Sequence, residues 1–144
     1  MPQTYSQLHF HIIFSTKNRT PSIDAAWRER LWQYMGGIVN GEDGIPLQIG
    51  GTADHVHLLV TLFPRHTLST FLQKLKANSS GWVHEHFPKT EFWWQVGYGA
   101  FTVSHSGLKK IRTYILNQVR RFPGVPRNSI PFHPWLHSDA PSGG

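Results

Sequence analysis

The 144-residue chain has no cysteine, so disulfides, zinc–thiolate sites and thiol nucleophiles are all excluded. It also lacks any apolar run near the roughly 20 residues that a membrane helix needs. Its N-terminus, MPQTYSQLHFHIIF, has neither the basic segment nor the long apolar stretch of a secretory signal. These absences lead us to expect a cytoplasmic protein, bacterial or archaeal. Acidic residues are scarce, 8 against 14 Lys plus Arg, for a net charge of +6 with His neutral. Such a balance favours a polyanionic partner over an acidic or neutral one.

What is present is consistent with one globular domain. The length allows a sizeable core, and 39% of the residues are apolar. Ten histidines and six tryptophans stand out. Indole rings can stack on bases without regard to sequence, although at least half of them are expected in the core.

Hydrophobic periodicity divides the chain into six elements and a last helix. Residues 8–16, LHFHIIFST, alternate as a strand, with Leu8, Phe10, Ile12 and Phe14 on one face and His9, His11, Ile13 and Ser15 on the other. Residues 24–40 read as an amphipathic helix with Trp27, Leu31, Tyr34, Met35 and Ile38 on its apolar side and Ser22 or Asp24 as cap. Strands follow at 45–53 and 55–62, at hairpin spacing. PRHTLSTFLQKLKANSSGWVHEHF begins a second helix with Leu68, Phe71, Leu72 and Leu75 inward. Residues 92–104 read as a fourth strand, and a final helix runs from about Ser106 to Phe122 with Leu108, Ile111, Ile115, Val119 and Phe122 as its stripe. Residues 1–122 then form the domain, and 123–144, rich in Pro, Gly and Ser, a tail.

The order βαββαβ plus a helix is that of an α+β, ferredoxin-like fold with an antiparallel sheet and an additional C-terminal helix. Strands 8–16 and 55–62 should be central neighbours. If Val56, Leu58, Val60 and Leu62 face the two covering helices, His9, His11, His55 and His57 share the opposite face. Buried imidazoles need partners, so that face is the candidate site.

In DHVHLLV (54–60), His55 and His57 lie roughly 6–7 Å apart on one strand face and could converge on one ion or phosphate. An alternating polar strand would look the same. On the last helix, Tyr114 and Gln118 are neighbours at i and i+4, with Lys110 and Arg121 about one turn away on either side. A phenol, an amide oxygen and two cations suit attack on a phosphodiester beside a His–His–Gln metal site. An exposed polar helix face suits the same pattern.

Taken together and in this order, DHVHLLV, WWQVGYGAFTVS and IRTYILNQ resemble the single-tyrosine transposases of the HUH superfamily, of the insertion sequence 200/605 type. FSTKNR (14–19) resembles the same family, and the likeness spans about residues 5–122. After the glutamine this chain reads VRRF, where many members carry histidines. The resemblance implies His55, His57 and Gln118 as metal ligands and Tyr114 as nucleophile. It implies a homodimer, with the tyrosine helix able to serve the partner's histidines, that binds single-stranded DNA beside a hairpin. It also implies cutting and rejoining through a 5′-phosphotyrosine link, with Mg²⁺ or Mn²⁺ as cofactor, since an imidazole–amide set suits either and suits zinc less. No Walker-type loop is present, and a covalent link that conserves the phosphodiester needs no triphosphate.

His11 is a candidate DNA-phosphate contact or a support for a metal ligand, although a polar residue filling the space under the last helix suits its position better. Lys74, Lys76, Lys109, Lys110, Arg112, Arg120 and Arg121 are candidate backbone contacts, and Trp93, Trp94 and Tyr98 candidate stacking or dimer-seam residues. Three other readings compete: a non-catalytic ferredoxin-like nucleic-acid-binding module, a host-adopted hairpin-binding relative, and a phosphoesterase that uses water. The first should show basic-aromatic motifs on its central strands, where this chain has histidines. The last would keep its activity without Tyr114.

Overall fold

Alternation in LHFHIIFS makes strand β1 (Leu8–Ser15) two-faced. In the computed structural model, which describes residues 7–118, the chain continues through a 3-10 turn (Lys17–Arg19) into helix α1 (Arg28–Gly41). Strands β2 (Ile45–Gly51) and β3 (His55–Leu62), helix α2 (Leu68–His86) and strand β4 (Gly99–Val103) follow. A second 3-10 turn (His105–Gly107) leads into helix α3 (Leu108–Leu116). The strands form one antiparallel sheet in the order β2-β3-β1-β4, so β1 and β3 are central as expected.

Register sorts the two faces. Phe10 lies opposite Val60, Ile12 opposite Leu58 and Phe14 opposite Val56. These side chains meet Leu31, Trp32, Met35 and Val39 of α1 and Phe71, Leu72, Leu75 and Val83 of α2 in one apolar cluster. Each such burial stabilises by about 1.5–3 kcal/mol. On the other face a smaller cluster forms from Leu59, Val103, Ile111 and Ile115 beneath α3. The third helix therefore covers the histidine face, and α1 and α2 cover the opposite one. Four tryptophans, Trp27, Trp32, Trp82 and Trp94, join the main core, while Trp93 is 56% exposed.

Several boundaries differ from the sequence expectation, among them the end of β2 at Gly51 rather than 53 and the break of the last helix at Asn117. Helix α1 starts at Arg28 and not at 24, because the Asp24 carboxylate accepts from the Ala26 N–H in a turn of its own and provides no helix cap. The strand expected over 92–104 is paired as a strand only from Gly99. Trp94 keeps a single bridge to Thr16, and its indole N–H donates to Ser79 Oγ at 2.9 Å while the ring packs on Phe14 and Phe92. Gln95 N–H still donates to the Ser15 carbonyl at 2.8 Å, and the left-handed turn at Gly97 (φ 96°) follows before regular pairing starts at Gly99. The final helix begins at Leu108, after Ser104 Oγ accepts from the Gly107 N–H. Val119, Phe122 and the expected tail 123–144 lie outside the described residues. Among the described residues no helix is long and apolar enough to cross a membrane.

Lys76 holds the looped segment. Its ammonium donates to the carbonyls of Gln95 (2.8 Å) and Gly97 (2.6 Å) and lies 5.0 Å from the centre of the Phe14 ring. Burial lowers its pKa from the usual lysine value. Lys76→Ala leaves two carbonyls without this donor and should cost about 1–3 kcal/mol. Hydrogen exchange should then speed up selectively over 95–98; uniform acceleration across the sheet would refute the local role.

Candidate active site

The site grows from the β1–β3 pair. His57 sits mid-strand opposite Ile13, and His55 lies opposite Ser15 at the strand start. Both are buried, at 0% and 4% exposure, with ring centroids 5.1 Å apart. His11 is also buried, and its Nε2 lies 2.9 Å from His57 Nδ1. At the far end of the same face, His9 Nδ1 pairs with Thr61 Oγ1 at 2.8 Å. Burial first, then the neighbouring His105, lowers the His9 pKa.

Helix α3 brings the remaining groups. The Tyr114 ring meets His57 edge-on at 5.7 Å between centroids and His11 at 6.3 Å. Gln118, just past the helix end, donates from Nε2 to the Tyr114 carbonyl at 3.1 Å. That bond assigns the amide orientation and leaves Oε1 as the remaining polar atom. Gln118 Oε1 and His55 Nε2 are both buried with no hydrogen-bond partner among the described residues. Buried polar atoms are ordinarily satisfied, and both of these could act as ligands to a cation or as acceptors for a substrate. Among the described residues no three His, Asp or Glu side chains cluster as a metal set. The candidate set is two imidazoles and one amide oxygen.

α3 can lie this close because β2 presents glycine. Gly50 pairs with His57, and a Cβ there would sit 3.0 Å from Ile115 Cγ2 and 3.2 Å from the Ile115 carbonyl oxygen. Ile115 neighbours Tyr114, so this clearance sets the seat of the tyrosine.

Comparison with known proteins gives the family. The family model described as "Transposase IS200 like" matches residues 4–118. The chain belongs to the IS200-like transposase family. The transposase for insertion sequence element IS200 of Salmonella typhimurium is 27% identical over 129 residues, covering 85% of this chain and 84% of that protein. The ISDra2 transposase TnpA of Deinococcus radiodurans is 28% identical over 120 residues, covering 78% and 84%. A crystal structure described as that of a transposase from Deinococcus radiodurans superposes with a TM-score of 0.66 at 25% identity, covering 82% of this chain and 95% of that one. The structure of a REP-associated tyrosine transposase bound to a REP hairpin gives 0.63 at 13% identity, covering 87% and 74%, a likeness of fold alone.

In this IS200-like transposase, His55, His57, Tyr114 and Gln118 share the α3 side of the sheet. His11 is placed against His57, under α3, and not at a surface open to DNA. Lys74 and Lys76 are on α2, on the opposite side of the sheet. There Lys74 pairs with Glu42 at 3.2 Å and Lys76 holds the 95–98 segment. Both lysines are thus engaged by the fold and stand away from the histidines. Lys109, Lys110 and Arg112 are exposed on α3, and Arg120 and Arg121 lie outside the described residues. Trp94 is a core residue, and Trp93 packs against His84 at 4.1 Å.

Sequence reasoning overlooked Asp54, Thr52, Arg19 and Gly50. Asp54 is only 3% exposed; its Oδ1 accepts from His55 Nδ1 at 2.8 Å and lies 3.4 Å from Arg19 Nη2. A carboxylate directly before the histidine pair, and the arginine of FSTKNR, were the available signals. Burial works to raise the Asp54 pKa, but the His55 hydrogen bond and the Arg19 charge outweigh it and hold the carboxyl below its usual range.

Two expectations follow from these contacts. Gly50→Val should shift α3 and cut DNA cleavage by about 10- to 100-fold, with a far smaller effect on thermal stability; unchanged cleavage would show that the clearance does not seat the tyrosine. Because its folded-state pKa is lowered, Asp54 contributes fully above the ordinary Asp value of about 4, and that contribution is lost as pH falls through the lowered value. In urea unfolding, Asp54→Asn should lie below wild type at pH 7, with the gap closing as the medium is acidified; a gap independent of pH would contradict this.

Proposed function

We propose that this transposase cuts and rejoins single-stranded DNA at the ends of its insertion sequence, with Tyr114 as nucleophile and a divalent cation held by His55, His57 and Gln118. The observation that supports it most is the burial of His55 Nε2 and Gln118 Oε1 without partners among the described residues, on the face where the Tyr114 ring meets that of His57. Two imidazole nitrogens and an amide oxygen suit Mn²⁺ or Mg²⁺. Such an ion would offset charge developing on the scissile phosphate.

The chain's own residues supply the covalent step. A free phenol has a pKa near 10 and is a weak nucleophile at neutral pH, so placement and local charge must compensate. The packing of Tyr114 against His57 and the glycine-made seat of Ile115 fix the ring's approach. The phenolic oxygen forms a bond to phosphorus as it gives up its proton. The bond from phosphorus to the 3′-oxygen breaks, and that oxygen leaves as a 3′-hydroxyl after taking up a proton. The 5′-phosphate stays on Tyr114. Attack by another 3′-hydroxyl on the same phosphorus reverses the exchange and rejoins a strand without an external energy source. Exposed Lys109, Lys110 and Arg112 flank the tyrosine on α3 and are suited to the DNA backbone. A hairpin beside the cleavage site is the partner we favour, in line with the REP hairpin bound by the structural neighbour. The working unit in this reading is a homodimer.

A covalent-adduct assay tests the reading. End-labelled single-stranded DNA spanning the element's ends, with Mn²⁺ or Mg²⁺, should give a protein–DNA adduct on a denaturing gel, lost with Tyr114→Phe and without metal. Cleavage that survives in Tyr114→Phe would indicate a hydrolytic phosphoesterase instead.

A further inference from the structure

The proposed site explains why His55 and His57 face inward but not why a buried carboxylate, paired with a half-buried arginine, stands behind one of them. Asp54 lies in the short turn between β2 and β3. Its Oδ1 accepts from His55 Nδ1–H at 2.8 Å and from the Thr52 hydroxyl at 3.2 Å, and Thr52 Oγ1 lies 2.9 Å from the same ring nitrogen. Asp54 Oδ2 is buried with no partner among the described residues. A cap for the turn would not by itself call for a charged side chain, and the desolvation of this buried carboxylate is offset only by its His55 and Arg19 contacts.

Arg19 reaches Asp54 at a further cost. Both Asn18 and Arg19 take the left-handed backbone conformation, each with φ 56°, and arginine gains no local compensation there. Two backbone bonds hold this segment to the turn, Thr16 N–H to the Asp54 carbonyl and Ile23 N–H to the Ala53 carbonyl, each 2.9 Å. Arg19, Thr52 and His55 converge on a single atom, Oδ1 of Asp54, which faces Nδ1 of His55.

We propose that Arg19 and Asp54 are positioning residues that lock His55 in its Nδ1–H form, so that the lone pair on Nε2 is the one offered to a divalent cation. The proposal rests on the metal reading above. A carboxylate behind a ligating imidazole fixes its tautomer and orientation and strengthens it as a donor. His57 has another imidazole, that of His11, in the equivalent place. Asp54 therefore acts on one ligand and not on the other, and His57 serves as an internal control.

The test uses the full chain, metal-free, with ¹⁵N-labelled histidine rings. Long-range ¹H–¹⁵N spectra should show neutral His55 as the Nδ1–H tautomer. In Asp54→Ala, His55 should lose its single tautomer while His57 keeps its own, and Mn²⁺ affinity measured by calorimetry should fall by about 10- to 100-fold. Asp54→Asn, whose amide oxygen can still accept from Nδ1–H, should retain the tautomer and recover part of the affinity. Arg19→Gln should fall between wild type and Asp54→Ala. An Nε2–H tautomer in the wild-type protein overturns the positioning role, and that measurement requires no variant to fold. Unchanged tautomer and Mn²⁺ affinity in Asp54→Ala overturn it as well. Wild-type protein that keeps the Nδ1–H tautomer but binds no Mn²⁺ would instead overturn the metal reading and, with it, the cation in this proposal.

Discussion

The register between β1 and β3 is the constraint on which the rest of the molecule depends. Side chains in a strand alternate faces with period two, so a slip of one residue would exchange the faces of a whole strand. With Ile12 opposite Leu58 and Phe14 opposite Val56, the apolar sets of both strands go to α1 and α2. His11, His55 and His57 are thereby committed to the other face. The same apolar burial that stabilises the fold gathers the imidazoles, and neither can be obtained without the other.

Gathering imidazoles on a sheet face creates a need that α3 meets. Its residues Ile111 and Ile115 join Leu59 and Val103 in a second small core, which dries the face and closes it over the histidines. Desolvation of that kind strengthens polar contacts and penalises unmade ones. His57 finds His11, His55 finds Asp54 and Thr52, and the Gln118 amide nitrogen finds the Tyr114 carbonyl. What remains is directed polarity in an otherwise packed layer, an arrangement suited to holding a reacting group still. Gly50 completes it by giving up a side chain where the helix backbone must come close.

The charged and aromatic residues divide by layer. In the sequence Lys76 is a candidate backbone contact and Trp94 a candidate for base stacking, a dimer seam or the core. In the fold both support the core side: one secures the 95–98 segment, the other fills space between Phe14 and Phe92. A cation on an amphipathic helix is free to meet phosphate only if the fold has not already given it an acceptor.

The sequence by itself determined the order of elements, the faces of β1 and β3, and the company of His55, His57, Tyr114 and Gln118. The first two follow from short-range periodicity, which the chain carries wherever it is read, and the last is what the family resemblance implied. Only the tertiary structure decided that the fourth strand is paired just from Gly99, that His11 backs His57, and that Arg19 reaches Asp54 across the turn. It also decided that Gly50 is the seat of α3. Each of these joins residues far apart in the chain through a specific backbone path or a specific clearance, and periodicity holds no record of either. Pattern sorts residues onto faces, while the contacts across and behind those faces arise only when the packed layers fix their distances.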